Sequence, residues 1–213
     1  MGKNARNSRR LNARAEARPS QTTAHDRRFW LIVAGLATLL SVGVVAVTFA
    51  VAGSFATAGS GSLPPGTQTF AEPDHAHVSG TVTYDRVPPA GGAHNATPLN
   101  CGVYTQPVPN ENAVHSLEHG AVWITYLPTL TPDQVGLLQK LVTSSYVGAE
   151  RYVILSPFVG LPSPIVASAW GVQLGVDQAS DARLSDFIHQ FAGSGQGGEA
   201  GGPCTGGVGN PIE

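Results

Sequence analysis

The feature that most constrains this chain is a run of 24 residues without a single charge, Phe29–Ala52. At 1.5 Å per residue, a helix of that length reaches about 36 Å, which exceeds the roughly 30 Å hydrocarbon core of a bilayer. The run therefore predicts a transmembrane helix at residues 29–52. The residues before this helix and those after it would then lie on opposite sides of the membrane.

The distribution of charge predicts which side the larger part occupies. Eight of the 12 Lys and Arg residues precede residue 29, whereas residues 53–213 contain four basic and 12 acidic side chains. By the positive-inside rule, the N-terminus lies in the cytoplasm and the body is extracytoplasmic, in a single-pass protein of the cell membrane. The acidic body argues against nucleic-acid binding, because neutralising phosphates needs clustered Lys and Arg.

Two alternatives for the apolar run stay open. Ala50-Val51-Ala52 offers a small-residue cleavage site for a signal peptide, although the run is longer than the roughly 7 to 15 apolar residues of a signal-peptide core. Arg27-Arg28 also resembles a twin-arginine export signal, which would imply folding before export. We expect an uncleaved anchor, because the length of the run fits a membrane span.

The chain contains only two cysteines, Cys101 and Cys204, and both fall on the expected outer side. Disulfides persist in extracytoplasmic compartments, so one disulfide between them is the simplest expectation. On the chain-entropy account, closing a loop of about 100 residues stabilises the fold by about 4 to 5 kcal/mol. The alternative is that both thiolates bind a metal ion.

Composition divides the chain further. Residues 1–28 carry scattered charge without apolar periodicity and are predicted to be a disordered cytoplasmic head. Residues 53–69 are small, polar and rich in Gly, Ser and Pro, which is typical of a flexible linker. The folded extracytoplasmic domain is expected over residues 70–192, followed by a Gly-rich tail over residues 193–213.

Hydrophobic periodicity predicts the elements of this domain. Alternation over Val78–Tyr84 predicts a first strand, and the β-branched and aromatic run Ala121–Leu127 predicts a central one. Thr131 followed by Pro132, with Gln134 at the third helical position, has the capping-box arrangement of a helix start.

Later segments complete the predicted fold. Tyr152–Leu155 and Ile165–Ala169 read as two further strands, and a last helix begins near Ser180, with apolar residues at helical spacing up to Phe191. The fold class is therefore α+β: a small mixed sheet with two packed helices in the order β-α-β-β-α. The later part of this order matches the C-terminal half of a thioredoxin-like fold, but the chain has no Cys-x-x-Cys for thiol exchange.

Histidines are concentrated in one part of the chain. Five of the seven lie between residues 75 and 119. Imidazole is the commonest protein ligand for copper and zinc, so this density predicts a metal site, with copper expected before zinc. The expected metal ligands are four of these histidines: His77, His94, His115 and His119. The alternative is that each is an ordinary polar loop residue or a structural histidine.

The sharpest motif is His-Ser-Leu-Glu-His at residues 115–119. It matches H-x-x-E-H, in which a helix presents both histidines to zinc and the Glu is the general base of a hydrolase. The prolines upstream and Gly120 downstream leave room for about one helical turn at most, which counts against this mechanism. If the segment is extended instead, His115 and His119 share one strand face. Glu118 is expected to hydrogen-bond to an imidazole and fix its tautomer.

Taken together, several segments resemble the domain-of-unknown-function family 3105, a group of mostly bacterial single-pass proteins with an extracytoplasmic domain. The resemblance covers residues 70–192 and rests on these segments: His77 with the strand to Tyr84, Pro88-Pro89 through Gly92 to His94, Gly102-Val103-Tyr104, Val114–Val122 and Ala169-Trp170-Gly171. Members usually have Ser-Gly-Pro-His where this chain has Gly91-Gly92-Ala93-His94, which keeps the histidine. The resemblance implies a shared site at the four histidines without naming its ligand.

Three functions follow as hypotheses. The first is a membrane-anchored extracytoplasmic domain that binds copper, or else zinc, for metal handling or an envelope redox complex. The second is a non-enzymatic accessory subunit that docks on a membrane protein complex through its single helix, whose Ala, Gly and Ser residues permit close packing. The third is a zinc-dependent hydrolase, which requires a helix at residues 115–119.

Overall fold

A computed structural model of the chain describes residues 62–72, 74–145 and 151–212. The predicted head at 1–28, the predicted membrane helix at 29–52 and the start of the 53–69 linker lie outside these residues. In the part of the chain that is described, none of the helices has the length and apolar character needed to span a bilayer. The described residues fall in one compact unit, Gly61–Glu213.

The domain is a mixed α+β structure with one six-stranded sheet. The described helices are α1 (Asn110–Glu118), α2 (Pro132–Thr143) and α3 (Ala182–Phe191), and a short 3₁₀ turn follows at Gly195–Gly197. The strands are β1 (Gln68–Thr69), β2 (Gly102–Val103), β3 (Val122–Tyr126), β4 (Val153–Pro157), β5 (Ile165–Ala169) and β6 (Val172–Val176). Their order across the sheet is β1-β6-β5-β3-β4-β2.

Parallel and antiparallel pairing divide this sheet. Strand β4 pairs in parallel with β2 and with β3, while β5 runs antiparallel to both β3 and β6, and β1 antiparallel to β6. The parallel pair β3–β4 is joined through α2, as a parallel connection needs a crossover. Every residue of β3, β4 and β5 is buried, which explains why these strands read as continuous apolar runs.

The two faces of the sheet carry separate apolar clusters. The α2–α3 core joins alternate residues of β3, including Ile124, to Leu138 of α2 and Phe187 of α3. The α1 core contains Trp123, which lies between two β3 residues of the first cluster, together with Leu117 of α1. Because successive strand residues point to opposite faces, α1 lies on one side of the sheet and the pair α2 and α3 on the other.

Much of the predicted order is confirmed. The strands at Val122–Tyr126 and Ile165–Ala169 and the helix starting at Pro132 lie where periodicity placed them. Strand β6 was missed, since it follows β5 after only two residues. The capping box is not formed, because Gln134 reaches away from its helix: its Nε2 donates to Gln178 and its Oε1 accepts from the backbone of Ala179.

The predicted strand at Val78–Tyr84 is wrong. An isolated bridge between His77 and His94 lies directly before this segment, and residues 78–84 themselves have no strand pairing. Gly80 has a φ of 102°, which breaks extended backbone, and the amide of Val82 donates to Glu111 at 2.8 Å rather than to a neighbouring strand. Alternation of apolar residues was therefore not enough to make a strand there.

The Gly-rich segment after α3 packs on the domain instead of trailing from it. The predicted disulfide between Cys101 and Cys204 is present, with Cα atoms 5.3 Å apart. Gly197 lies so close to α1 that a Cβ there would be 2.3 Å from the Cα of Glu118. Further along, Val208 forms a parallel bridge with Leu99. Residues 193–212 are thus part of the compact unit that the sequence prediction closed at residue 192.

Candidate metal centre

Helix α1 places His115 and His119 on one face. The expected limit of about one helical turn is wrong: the helix runs nine residues, Asn110–Glu118, with His119 at its C-terminal cap. Pro109 occupies the N-cap, where a missing N–H costs no helical hydrogen bond, so the upstream proline starts the helix rather than shortening it. Gly120, at a φ of 99°, ends it.

The other two predicted ligands come from loops that meet in front of α1. The amide of Val78 donates to the carbonyl of His94 at 2.7 Å, and the amide of His94 donates to Ala76 at 3.0 Å. These bonds hold His77 beside His94. The turn before His94 depends on Gly91, because a Cβ there would lie 2.8 Å from Glu72. Two loops far apart in sequence thus form one wall of the site.

Four imidazoles are brought into one cluster by these elements. The ring of His77 lies 4.9 Å from those of His94 and His115, measured between centroids. The ring of His115 lies 5.0 Å from His94 and 4.6 Å from His119. His94 is fully buried and His77 is exposed, so the cluster runs from the interior to the surface.

Backbone carbonyls fix the tautomer of three of these histidines. Nδ1–H of His94 donates to the carbonyl of Gly92 at 2.8 Å. Nδ1–H of His115 donates to the carbonyl of Asn95 at 2.7 Å, and Nδ1–H of His119 donates to the carbonyl of Pro203 at 2.9 Å. In the neutral form of each ring only one nitrogen is protonated, and with Nδ1 as the donor the lone pair lies on Nε2.

Two of these lone-pair atoms meet directly. Nε2 of His115 and Nε2 of His119 lie 3.0 Å apart in a buried position. With both Nδ1 atoms protonated, the lone pairs of two neutral rings would repel at this distance, and a cation between them would remove that repulsion. Two nitrogens bound to one ion at 2.0–2.1 Å are separated by about 2.9 Å at a right angle and about 3.3 Å at the tetrahedral angle.

Burial favours the neutral form of His115. Desolvation lowers the pKa of His115, and the neighbouring imidazoles of His119, His94 and His77 lower it further, against the opposing hydrogen bond from its Nδ1 to Asn95. An imidazole with a lowered pKa is neutral at pH 7 and has its lone pair available.

Glu118 lies behind the cluster, between two histidines. Its carboxylate is buried and contacts Nδ1 of His75 through Oε1, while Oε2 lies 2.9 Å from Nε2 of His94. Neither Oε2 nor that Nε2 has a hydrogen-bond partner, although both atoms are buried. Buried polar atoms left without partners are uncommon and mark a place where a ligand can bind.

Two neighbours of the cluster were not among the predicted site residues. His75 stacks on Trp170 with ring centroids 4.5 Å apart, and its position in the histidine-rich stretch was the signal that could have found it. Glu199 places Oε2 3.3 Å from Nε2 of His119 and 3.6 Å from Nε2 of His115. Nothing in the Gly-rich sequence around Glu199 pointed to this position.

The potential ligand atoms form two overlapping sets among the described residues. One contains His77, His94, His115 and Glu118, and the other contains His115, His119 and Glu199, with the atoms of each set within 4.8 Å of one another. His115 belongs to both. The structure therefore brings all four predicted histidines together, but His119 pairs with a carboxylate from the C-terminal segment.

The fold and this site define an α+β domain with a buried cluster of histidines and carboxylates. The chain belongs to the family described as protein of unknown function DUF3105, whose model matches residues 75–206. The matched range includes the four predicted histidines, Glu118, Glu199 and both cysteines. Comparison with curated proteins and with solved structures gives no significant match.

Proposed function

We propose that this protein binds a transition-metal ion through its histidine cluster, copper before zinc, and serves metal handling or an envelope redox complex. The observation that carries the proposal is the pair of Nε2 atoms of His115 and His119, 3.0 Å apart with both Nδ1 atoms engaged by carbonyls. Imidazole nitrogens suit both copper and zinc. His94 and His77 supply further nitrogens beside the pair.

The proposed location is the outer face of the cell membrane, with residues 29–52 as a single anchor in the bilayer and the N-terminus in the cytoplasm. Two observations support it. The Cys101–Cys204 disulfide is typical of an oxidising compartment, and the Lys and Arg residues concentrated before residue 29 fit a cytoplasmic head.

We also propose that the sheet is thioredoxin-like. The strand order β2-β4-β3-β5-β6 has parallel strands at one side and an antiparallel hairpin at the other, with α1 on one face and α2 and α3 on the opposite face. The domain would use this frame without thiol exchange, because both cysteines of the chain are joined in one disulfide.

Metal analysis of the purified full chain tests the main proposal. We expect one equivalent of Cu(II) or Zn(II) to bind the wild type and to be lost in His115→Ala, because this imidazole belongs to both sets of ligand atoms. His189→Ala is the matched control, since His189 is exposed on α3. A folded wild type that binds neither ion would leave the histidines structural and favour an accessory subunit of a membrane complex.

One observation favours the zinc hydrolase as a second candidate. The His-Ser-Leu-Glu-His segment lies on a helix and at its cap, as H-x-x-E-H chemistry requires. Glu118, however, faces His75 and His94 and is only 3% exposed. A cavity of about 270 Å³ nearby is lined by Glu72, Tyr84 and others but by none of the clustered imidazoles. Hydrolysis of a peptide or ester panel by the zinc-loaded protein, lost in Glu118→Gln with zinc retained, would favour the hydrolase.

A further inference from the structure

The C-terminal segment brings a carboxylate to the histidine pair. Oε2 of Glu199 lies 3.3 Å and 3.6 Å from the two Nε2 atoms of His119 and His115. We infer that Glu199 is the third ligand of a two-histidine, one-carboxylate site for a divalent transition-metal ion, and that the Cys101–Cys204 disulfide holds this ligand in place. The inference rests on the proposed metal binding.

The three ligand atoms form a compact triangle. Its edges are 3.0, 3.3 and 3.6 Å, between the two Nε2 atoms and Oε2. For bonds of about 2.1 Å, ligand atoms at angles between about 90° and 120° are separated by about 3.0 to 3.6 Å. The triangle thus caps one face of an ion, as in two-histidine, one-carboxylate sites, and leaves the other coordination positions open. His77, exposed and stacked beside His115, borders the cluster at the surface.

Two imidazoles and one carboxylate as ligands favour a divalent ion over a monovalent one. Two neutral imidazoles and one carboxylate leave a net charge of +1 on a bound divalent ion and zero on a monovalent one. Cu(I) prefers soft sulfur ligands, but both cysteine sulfurs are in the disulfide and the only methionine of the sequence is Met1. The oxygen of Glu199 therefore favours Cu(II) or Zn(II) over Cu(I).

The segment that carries Glu199 is fastened at several points. The carbonyl of Pro203 accepts the hydrogen bond that orients His119, and the next residue, Cys204, forms the disulfide. Gly202 packs on the imidazole of His119, where a Cβ would lie 2.6 Å from the ring. Loss of the disulfide would release the carbonyl that orients the ring and the carboxylate together, since both belong to residues 199–204.

Titration of the full chain in detergent with Cu(II), Zn(II) and Cu(I) tests the ligand. Removing a mere hydrogen-bond partner of a ligand costs 10–100-fold in metal affinity, so Glu199→Gln should weaken Cu(II) binding at least about tenfold. We expect Glu199→Gln to shift the Cu(II) EPR spectrum and to leave Cu(I) binding nearly unchanged. Asp186→Asn, which removes one exposed carboxylate from α3, should match the wild type.

Replacing the two cysteines tests whether the disulfide holds Glu199 in place. Cys101→Ala/Cys204→Ala should lower Cu(II) affinity to the level of Glu199→Gln or below, because it releases the same carboxylate. If this variant does not fold by circular dichroism, Gly202→Ala replaces it, because its Cβ displaces the segment from His119 while the disulfide remains. Unchanged affinity in a folded form of either variant would overturn the role of the segment.

The outcomes separate this inference from the proposed function. Binding of Cu(II) by the wild type and by Glu199→Gln with equal affinity and identical EPR spectra would overturn the inference and leave the histidine site standing. A wild type that binds none of the three ions would overturn both. Weakened binding in Glu199→Gln together with unchanged binding in Asp186→Asn would support Glu199 as a direct ligand.

Discussion

The two sides of the sheet are built in different ways. On the side of α2 and α3, side chains such as Phe187 and Leu138 bury apolar surface, and few polar groups are involved. On the side of α1, the site depends on hydrogen bonds between distant loops, on glycines that permit close approach and on a disulfide that closes 103 residues. The first side is stabilised mainly by burial and the second is positioned by specific contacts.

Substitutions on the two sides should therefore act differently. A cavity in the α2–α3 core should lower the stability of the whole domain without moving the imidazoles. A disturbance of the C-terminal segment should move the imidazoles at a smaller cost in stability.

Phe187→Ala should cost the most stability. The ring is fully buried and packs 4.5 Å from Phe191 between centroids, and large-to-small changes of this kind cost about 3 to 5 kcal/mol. Urea unfolding measures the loss. Metal affinity in the absence of urea should stay at the wild-type value, and a parallel loss of affinity in the folded variant would break the separation between the two sides.

Gly197→Ala should have an intermediate effect on stability and a direct effect on the site. The added Cβ would lie 2.3 Å from the Cα of Glu118, a main-chain atom that cannot move aside without distorting α1. We therefore expect a loss of about 1 to 3 kcal/mol in the free energy of unfolding. Gly136→Ala in α2 is the matched control, because its Cβ meets open space and should stabilise the helix by up to about 1 kcal/mol.

The readout for this pair is thermal unfolding together with Cu(II) affinity. Gly197→Ala should lower both and Gly136→Ala neither. If Gly197→Ala kept the wild-type affinity, the packing of the C-terminal segment on α1 would not control the site.

Asp181→Ala should have the smallest effect. Asp181 caps α3, with its carboxylate accepting from the amide of Arg183 at 2.9 Å, and loss of such a cap costs about 1 kcal/mol. Hydrogen bonds from the Arg183 side chain lower the pKa of Asp181. The stabilisation is therefore present above the ordinary aspartate pKa of about 3.9 and is lost as the pH falls through the lower folded value.

Urea unfolding at pH 7 and at pH 3 checks the sign. The gap in stability between wild type and Asp181→Ala should be full at pH 7 and narrower at pH 3, and Asp181→Asn should retain part of the cap. A gap that widened in acid would contradict the assignment of the shift to Arg183.

The strands and the last helix were predicted well because their apolar residues follow strand or helix periodicity. Phe187, Ile188 and Phe191 fall at helical spacing, and α3 buries all three. Strands β3 and β5 are buried on both faces, and their β-branched residues indicated this burial in the sequence. Strand β6 was missed, although its residues alternate in burial, because only two residues separate it from β5.

The site was predicted in part. Residue type alone identified His77, His94, His115 and His119, which the structure brings into one cluster. The helix over His115 was missed because two prolines were taken as helix breakers, whereas Pro109 serves as the N-cap. Glu199 could not be predicted, because its place depends on a disulfide and on glycine contacts that leave no periodic trace.

The acceptors that orient the imidazoles have a consequence for how this site can vary. Gly92, Asn95 and Pro203 all use main-chain oxygen, so no side-chain substitution at these positions deletes an acceptor. Only the course of the backbone matters there. A neutral oxygen also makes the opposite ring nitrogen less electron-rich than a carboxylate would. A substitution at one of these three positions therefore leaves the tautomers of His94, His115 and His119 unchanged, as long as the main chain keeps its course.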